Sequence, residues 1–457
     1  MNLWKFISKN MLASPNQVVS EKDASLTFEE IVIWSENFAL KLKEFQCCAI
    51  LCQSEMSASM ALLACFAAEV TAVPLSTRYG EAHCNKILDT ISPDAIIMDS
   101  NGEIAVYKIE DCRYIPPIAH PALIMCTSGT TGNPKGAMLS EHNIITNVCD
   151  IADYFEIEKN DIILISRPLY HCAVLTGEFL TALVKGTSIR FYSDQFNPAK
   201  MIKLIKNHQI TAFCGTPTLL SMMAQFSRHA NANSLKHICI SGECMSLETA
   251  QKIQNSFSHC KIYHIYGLTE ACPRISYLPP IFFNDYPDCV GIPLKSVTIK
   301  ILNKSGDLCR INEEGLLYVK GDNIMLGYYR DLDKTQEVLS NGWLCTGDIA
   351  VLNEIGFLKI KGRNDNLIIK AGMNIYPAEI EAALKRDSRV NDALAYGLKT
   401  QFGTQIGVKI VGQFNSVDEV KKLCVDILPP FQIPTTIELV DKLPKNASGK
   451  IIRRTLP

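Results

Sequence analysis

The sequence predicts an α/β fold with a large N-terminal body and a small C-terminal domain. Amphipathic helices alternate with short apolar strands, which favours parallel sheet covered by helices on both faces. Residues 291–329 alternate β-type runs with glycine turns, which indicates a β-rich subdomain. The polar stretch 362–366 lies between two β-rich runs and is therefore the clearest domain boundary.

Length and composition limit the class of protein. A chain of 457 residues is long enough for two to four domains. With 47% apolar residues, 20% charged residues and a net charge of −2, it is typical of an ordinary globular protein and not of a nucleic-acid binder. The 18 cysteines lack the spacing of zinc or redox sites, which indicates free thiols in a reducing cytosol. We expect a cytoplasmic protein without a signal peptide or membrane span.

The N-terminal elements follow from hydrophobic periodicity. Leu3, Trp4, Ile7 and Met11 recur at helical spacing and predict an entry helix docked on the body. A second amphipathic helix is expected after a cap at Ser25 or Thr27. A buried helix over residues 60–68 separates strands expected at residues 49–51 and 70–75, and a turn and strand follow at residues 91–98.

The most distinctive stretch is the loop of residues 127–136. Three glycines and Pro134 predict an irregular backbone, and four hydroxyls and Lys135 crowd it. Hydroxyls, exposed N–H groups and one ammonium suit a polyphosphate, whose oxygens only accept hydrogen bonds. The loop is not a Walker motif, because Pro134 precedes the lysine and Gly136 follows it. An apolar run at residues 122–126 predicts a buried strand leading into the loop.

Two later strands end in polar turns. Residues 237–243 and 261–265 read as parallel strands, which form the kind of crevice where α/β sheets bind nucleotides. After the second strand, Tyr266, Thr269 and Glu270 offer a ring to stack a base, a hydroxyl for a phosphate and a carboxylate for Mg²⁺. Farther on, Asp348 follows Thr-Gly and suits the two hydroxyls of a ribose.

Taken in order, these motifs resemble those of the adenylate-forming superfamily, which includes acyl- and aryl-CoA synthetases, peptide-synthetase adenylation domains and luciferases. The resemblance covers essentially the whole chain. It implies an AMP-binding body of two α/β subdomains and a β-rich subdomain at residues 1–363, a hinge at residues 364–366, and a mobile α+β lid at residues 367–457.

The resemblance also implies roles for individual residues. The loop would hold the phosphates of ATP through Thr127, Ser128, Gly129, Thr130, Thr131, Gly132 and Lys135. The rest of the nucleotide would be bound by Gly242 and Glu243 at the adenine edge, Tyr266 stacked on adenine with Gly267 beside it, Thr269 at the α-phosphate, and Asp348 and Arg363 at the ribose. The remaining implied roles are Glu270 and Thr131 for magnesium, His171 at the acyl pocket and thiol tunnel, Asp365 as the hinge, Gly372 in the thiol tunnel, and Lys450 as the catalytic lysine.

The sequence thus predicts a ligase that uses ATP and Mg²⁺ to convert a carboxylic acid into acyl-AMP and then into a thioester. The acceptor is expected to be CoA or the phosphopantetheine of an acyl carrier protein. One alternative is an amino-acid adenylation enzyme, although Cys172, Ala173 and Val174 offer no carboxylate for the ammonium of an α-amino acid. Two others are a catalytically silent nucleotide-binding regulator and a luciferase-like enzyme. The identity of the acid stays open, with aryl, alkyl and β-amino acids as candidates.

Overall fold

A computed structural model describes residues 2–100, 102–127, 134–194, 196–230, 233–370, 373–400 and 403–444. The entry helix Leu3–Leu12 buries Leu3, Trp4, Ile7 and Met11, as its periodicity predicts. The other helices of the described residues are Phe28–Ala39, Glu55–Ala68, Glu81–Ile91, Glu141–Tyr154, Cys172–Val174, Thr181–Lys185, Pro198–Asn207, Pro217–Ala230, Leu247–Ser256, Leu332–Val338, Pro377–Leu384 and Val417–Ile427.

Capping side chains define where several helices begin. Thr27 caps Phe28–Ala39 in a reciprocal arrangement with Glu30. Ser140 and Asn143 do the same for Glu141–Tyr154, the helix that follows the phosphate-loop hairpin. The helix Glu55–Ala68 is buried on nearly all sides, which explains why it is apolar throughout.

The larger sheet has a parallel centre with antiparallel edges. Its strands run in the spatial order Ile292–Pro293, Arg274–Leu278, Lys261–Gly267, His237–Ile240, Ala212–Gly215, Ile162–Ile165, Ser188–Phe191, Val18–Glu21 and Ala24–Thr27. The two strands expected to form the nucleotide crevice are parallel neighbours, with His237 opposite Lys261. Their carboxyl ends therefore meet at one edge of the sheet.

The second sheet carries the flanks of the phosphate loop. Its strands run in the spatial order Gly327–Tyr328, Lys135–Leu139, Leu123–Thr127, Thr71–Pro74, Cys47–Ile50, Ala95–Ser100 and Glu103–Lys108. Leu123–Thr127 and Lys135–Leu139 form a hairpin in which Thr127 lies opposite Lys135. Thr127 and Lys135 are therefore the described residues that flank the predicted phosphate loop.

The β-rich subdomain differs from the expected range. Val297–Leu302, Gly315–Gly321, Leu339–Ser340, Trp343–Leu352 and Leu358–Arg363 form this sheet. The ends of the range 291–329 belong elsewhere, because Ile292–Pro293 joins the larger sheet and Gly327–Tyr328 joins the loop sheet. The subdomain thus begins later than predicted and extends to Arg363.

Residues beyond Arg363 build a separate core. Ile368–Lys370 pairs with Met373–Ile375, and Val390–Thr400, Gly403–Gly412 and Thr436–Leu439 form another sheet. Apolar residues of these strands pack with the helices Pro377–Leu384 and Val417–Ile427. A distinct core of this kind is what the predicted lid requires, since a unit that turns must hold together alone.

Candidate active site

Lys135 and Glu270 come together around one tyrosine. The Tyr328 hydroxyl donates to Glu270 Oε1 at 2.7 Å, and Lys135 Nζ lies 5.4 Å from the centre of the Tyr328 ring. Burial and the nearby Lys334 ammonium lower the pKa of Lys135, while Asp331, Glu337 and Glu270 oppose the shift. The structure thus places an ammonium and a carboxylate beside the loop hairpin.

The turn that carries Glu270 depends on glycine. A Cβ atom on Gly267 would lie 1.8 Å from the carbonyl oxygen of Pro273, so a side chain cannot be accommodated. Thr269 and Glu270 form a short 3₁₀ turn directly after this close approach. At the neighbouring strand end Gly242 has a φ of +94°, and Glu243 accepts from Thr218 Oγ1 at 2.7 Å. These glycines let the backbone turn sharply at the edge of the crevice.

A second group of candidate residues joins the larger sheet to the β-rich sheet. The Tyr266 hydroxyl donates to Asp348 Oδ2, and Arg363 Nη1 lies 3.7 Å from Asp348 Oδ1. Arg363 Nη1 also donates to the carbonyl of Thr346 at 3.0 Å, and its Nε lies 3.4 Å from Asp365 Oδ1. Tyr266, Asp348, Arg363 and Asp365 therefore form a continuous polar chain from the crevice to the predicted hinge.

His171 lies at the start of the helical segment that follows strand Ile162–Ile165. Burial, with the charges of Arg167 and Arg78, lowers the pKa of His171 to about 3, so the imidazole is neutral at pH 7. The turn before it is anchored by Glu55, whose Oε2 accepts from the backbone N–H of Leu169 at 3.0 Å. Glu55 also lies 3.7 Å from Arg78.

Several predicted residues lie outside the described part of the chain. They are Ser128, Gly129, Thr130, Thr131 and Gly132 of the phosphate loop, Gly372 of the thiol tunnel, and the catalytic lysine Lys450. Their roles stay predictions, as do the roles of the described residues.

Two family models match this chain. The model described as "AMP-binding enzyme" matches residues 9–329, which is more than half of the chain, and "AMP-binding enzyme C-terminal domain" matches residues 379–450. The chain belongs to the AMP-binding enzyme family. The motif order inferred from sequence is thus that of a true family member.

Relatives of this AMP-binding enzyme are CoA ligases. The 2-succinylbenzoate–CoA ligase of Bacillus velezensis is 29% identical over 95% of this chain and 93% of its own length. The long-chain-fatty-acid–CoA ligase of Haemophilus influenzae is 33% identical over 73% of this chain, but the match spans only 61% of that longer protein. These relatives are acid–thiol ligases.

Solved structures show the same fold over the whole chain. The o-succinylbenzoate CoA synthetase of Bacillus subtilis with its acyl-adenylate has a TM-score of 0.87 and 28% identity, covering 98% of this chain and 96% of that one. Its complex with ATP and a magnesium ion has a TM-score of 0.86 and 28% identity, covering 99% of this chain and 98% of that one. The predicted family, fold class and enzyme class, that of an acid–thiol ligase, are confirmed.

The donor set of this AMP-binding enzyme suits magnesium held mainly by a nucleotide. Mg²⁺ usually binds one or two carboxylates together with phosphate oxygens and waters. Within the described ranges no group of three or more His, Cys, Asp or Glu side chains is gathered to hold a metal. A single carboxylate at Glu270, next to Lys135 and the loop hairpin, fits that pattern. No helix of the described residues combines the length and apolar character that crossing a membrane would require.

Sequence reasoning missed one charged cluster in this AMP-binding enzyme. Glu178 is fully buried in the π-helix Leu175–Leu180, and its Oε1 accepts from Arg167 Nη2 at 2.5 Å. Arg274 is buried nearby on strand Arg274–Leu278. The sequence did contain a signal for buried charge, because Glu178 interrupts an apolar helix and Arg274 precedes the apolar Ile275.

Proposed function

We propose that this enzyme activates a carboxylic acid as its acyl adenylate and passes the acyl group to the thiol of CoA. Near full-length similarity to 2-succinylbenzoate–CoA ligases supports CoA as the acceptor, in preference to a carrier protein. The observation that carries the proposal is the pairing of two clusters at one crevice. One is Lys135, Tyr328 and Glu270; the other is Tyr266, Asp348 and Arg363.

In the first half-reaction a carboxylate oxygen of the acid attacks the α-phosphorus of ATP, and pyrophosphate leaves. Lys135 and the loop hold the β- and γ-phosphates, while Asp348 accepts from the ribose hydroxyls. Mg²⁺ at Glu270 would supply charge neutralisation to the phosphates. Lys450 places a positive charge beside the α-phosphate and the entering carboxylate, where negative charge develops.

In the second half-reaction the thiol sulfur attacks the acyl carbon, its proton is released and AMP leaves. The lid, residues 367–457, turns about Asp365 so that the thiol enters past Gly372 and Lys450 withdraws. His171 is neutral and lies at the proposed meeting point of acid and thiol, so it adds no charge there. Two lid positions let one site perform two reactions that need different neighbours.

The charge of the buried cluster argues against amino-acid activation. Glu178 is already paired with Arg167, and Arg274 adds a second guanidinium. An ammonium buried beside two guanidinium groups is unfavourable. A β-amino acid is therefore disfavoured, as an α-amino acid already is by the absence of a carboxylate from residues 172–174.

The test is an ATP–pyrophosphate exchange panel of fatty, aryl, dicarboxylic and amino acids, followed by thioester assays with CoA and with a carrier protein. We expect exchange with a non-amino carboxylic acid and thioester formation with free CoA. Exchange restricted to an amino acid, or acyl transfer to the carrier alone, would contradict the proposal. ATP binding without exchange for any acid would favour the silent regulator.

A further inference from the structure

The guanidinium of Arg274 is buried near one carboxylate, that of Glu178. The residue is 2% exposed and is among the largest fully buried side chains. Its Nε has no hydrogen-bond partner among the described residues. The negative charge of Glu178 attracts this guanidinium, but the ion pair of Glu178 is formed with Arg167. Because Glu178 is shared by two buried guanidinium groups, a second anion beside Arg274 would be favourable.

The backbone around Arg274 is fixed. Its N–H donates to Asn147 Oδ1 at 3.2 Å, and its carbonyl accepts from Asn147 Nδ2 and Asn323 Nδ2, each at 2.9 Å. Both asparagines are fully buried. The strand is thus held so that the guanidinium has a defined position.

Gly177 provides the space for this guanidinium. A Cβ atom on Gly177 would lie 2.7 Å from Nη2 and 2.9 Å from Nε of Arg274. Gly177 belongs to the π-helix that begins shortly after His171, and Arg274 follows the turn of Glu270. Arg274 therefore lies between the two segments from which an acid would be approached, the acyl-pocket segment and the magnesium-site turn.

The local charge leaves one cation unbalanced. Glu178 Oε1 bonds to Arg167, and Glu178 Oε2 has no hydrogen-bond partner in the described part of the chain. Ser276, which shares a strand face with Arg274, also has a buried hydroxyl without a partner there. Two guanidinium groups thus face one carboxylate, and the Ser276 hydroxyl can donate a hydrogen bond to a bound anion.

We propose that Arg274 binds a second carboxylate of the acid, so that the preferred substrate is a dicarboxylic acid. This inference rests on the proposed function. One carboxylate is activated at the α-phosphate, and the other pairs with the guanidinium. An acid with an apolar end would leave Arg274 with only the charge of Glu178, which it shares with Arg167, and this selects against simple fatty acids.

Matched acids test the inference. Each pair shares a skeleton and differs in the distal carboxylate: hexanedioate against hexanoate, octanedioate against octanoate, and 2-succinylbenzoate against 4-oxo-4-phenylbutanoate. In pyrophosphate exchange we expect at least one diacid to exceed its partner in kcat/KM by about 100-fold, the usual scale for a buried charge-assisted pair. The inference is overturned if every monoacid equals or exceeds its diacid.

Variants identify the residue responsible. Arg274→Met should abolish the preference, with diacid kcat/KM falling about 100-fold and monoacid kcat/KM kept or raised. Gly177→Ala, which displaces the guanidinium, should reduce the same ratio. Arg386→Met, which removes an exposed guanidinium from the C-terminal domain, is the matched control and should keep it. An unchanged ratio in both Arg274→Met and Gly177→Ala would overturn the inference.

A binding measurement separates this inference from the proposed function. The thermal midpoint of the wild type should rise by a few degrees with a diacid but not with its monoacid, whereas Arg274→Met should respond to neither. Without acid, Arg274→Met should be at least as stable as the wild type, because it removes one of two buried guanidinium groups that share a single carboxylate. Diacid binding without exchange would contradict the proposed function alone, while exchange limited to monoacids would contradict the inference alone.

Discussion

The hydroxyl of Tyr376 donates a hydrogen bond to Glu314 Oε2 at 2.5 Å and ties the C-terminal domain to the β-rich sheet. Lys361 reinforces this contact, because its Nζ lies 3.7 Å from Glu314 and 3.0 Å from Glu379 on the first helix of that domain. The contact is close to Arg363 and Asp365. Any turn of the predicted lid must break it.

Removing the charge of Glu314 should loosen the predicted hinge. Glu314→Gln weakens the bonds to Tyr376 and Lys361, whose worth at this partly exposed position is about 1 kcal/mol. Amide hydrogen exchange at residues 363–368 should therefore become several-fold faster, since exchange follows the local opening equilibrium. Glu354→Gln, at an exposed position, is the control and should leave that segment unchanged. Equal exchange in both variants would show that the contact does not restrain the joint.

Loss of Lys450 should separate the half-reactions. Lys450→Ala is expected to reduce acyl-AMP formation by at least about 100-fold, because charge stabilisation at the α-phosphate disappears. Conversion of supplied acyl-AMP to the thioester should persist, and Lys445→Ala serves as the control on the same terminal segment. Pyrophosphate exchange and thioester release measure the two steps. An equal decrease in both would show that the lid does not alternate.

A rigid hinge should have the opposite effect. Asp365 lies in the 3₁₀ turn Asn364–Asn366, and proline would fix its φ angle. Asp365→Pro should keep acyl-AMP formation and slow thioester formation, so that acyl-AMP accumulates in a rapid-quench experiment. Asp365→Ala, which leaves the backbone free to turn, is the comparison. Unchanged overall turnover in Asp365→Pro would rule out rotation at this residue.

Asp348 should govern affinity for ATP. Asp348→Asn removes the charged acceptor offered to the ribose, and hydrogen bonds to charged groups contribute about 1.5–3 kcal/mol. We expect the KM for ATP to rise roughly 10- to 100-fold with little change in the KM for the acid. Because Asp348 also accepts from Tyr266, thermal unfolding must show that the variant is folded. An unaltered KM for ATP would exclude the ribose contact.

Glu55 should make stability depend on pH. Burial raises its pKa from 4.5 to about 7, although the Leu169 N–H and Arg78 oppose the shift. The folded state therefore binds a proton that the unfolded state has lost between pH 4.5 and 7, and this contribution to stability disappears as the pH rises through that window. Glu55→Gln removes this pH-dependent contribution to stability. From urea unfolding at pH 5 and pH 8, the change in free energy of unfolding should differ between wild type and variant by on the order of 3 kcal/mol.

The control for Glu55 is Glu44→Gln, which alters an exposed carboxylate. Its free energy of unfolding should follow the pH dependence of the wild type. If Glu55→Gln also does so, Glu55 is charged at neutral pH and the buried proton is absent.

Local sequence patterns predicted much of this fold, because hydrophobic periodicity and helix caps depend on residues close together in the chain. The apolar stripe of Leu3, Ile7 and Met11 predicts Leu3–Leu12, and Thr27 marks where the next helix begins. The strand before the phosphate loop and the parallel pair ending near Gly242 and Gly267 were also readable. Motif order then identified the family, which the family models confirm.

What sequence could not provide was pairing between distant segments. The two-residue strands Ile292–Pro293 and Gly327–Tyr328 are too short to show which sheet they join. The cluster of Arg167, Glu178 and Arg274 could not be predicted for the same reason, because tertiary packing brings these charges together from separate elements. In the sequence each is a single charge, and a single charge does not reveal that it will be buried.

The short strand Gly327–Tyr328 contacts two parts of the candidate site. Its backbone pairs with Lys135–Leu139, the strand that begins with the lysine proposed to bind phosphate, and the Tyr328 hydroxyl donates to Glu270, the carboxylate proposed for magnesium. Lys135 and Glu270, the two groups proposed to hold the triphosphate, are therefore linked through one short strand. If the C-terminal domain turns between the half-reactions as proposed, this strand would keep the spacing of the two groups constant, so that bound nucleotide need not be released between the steps.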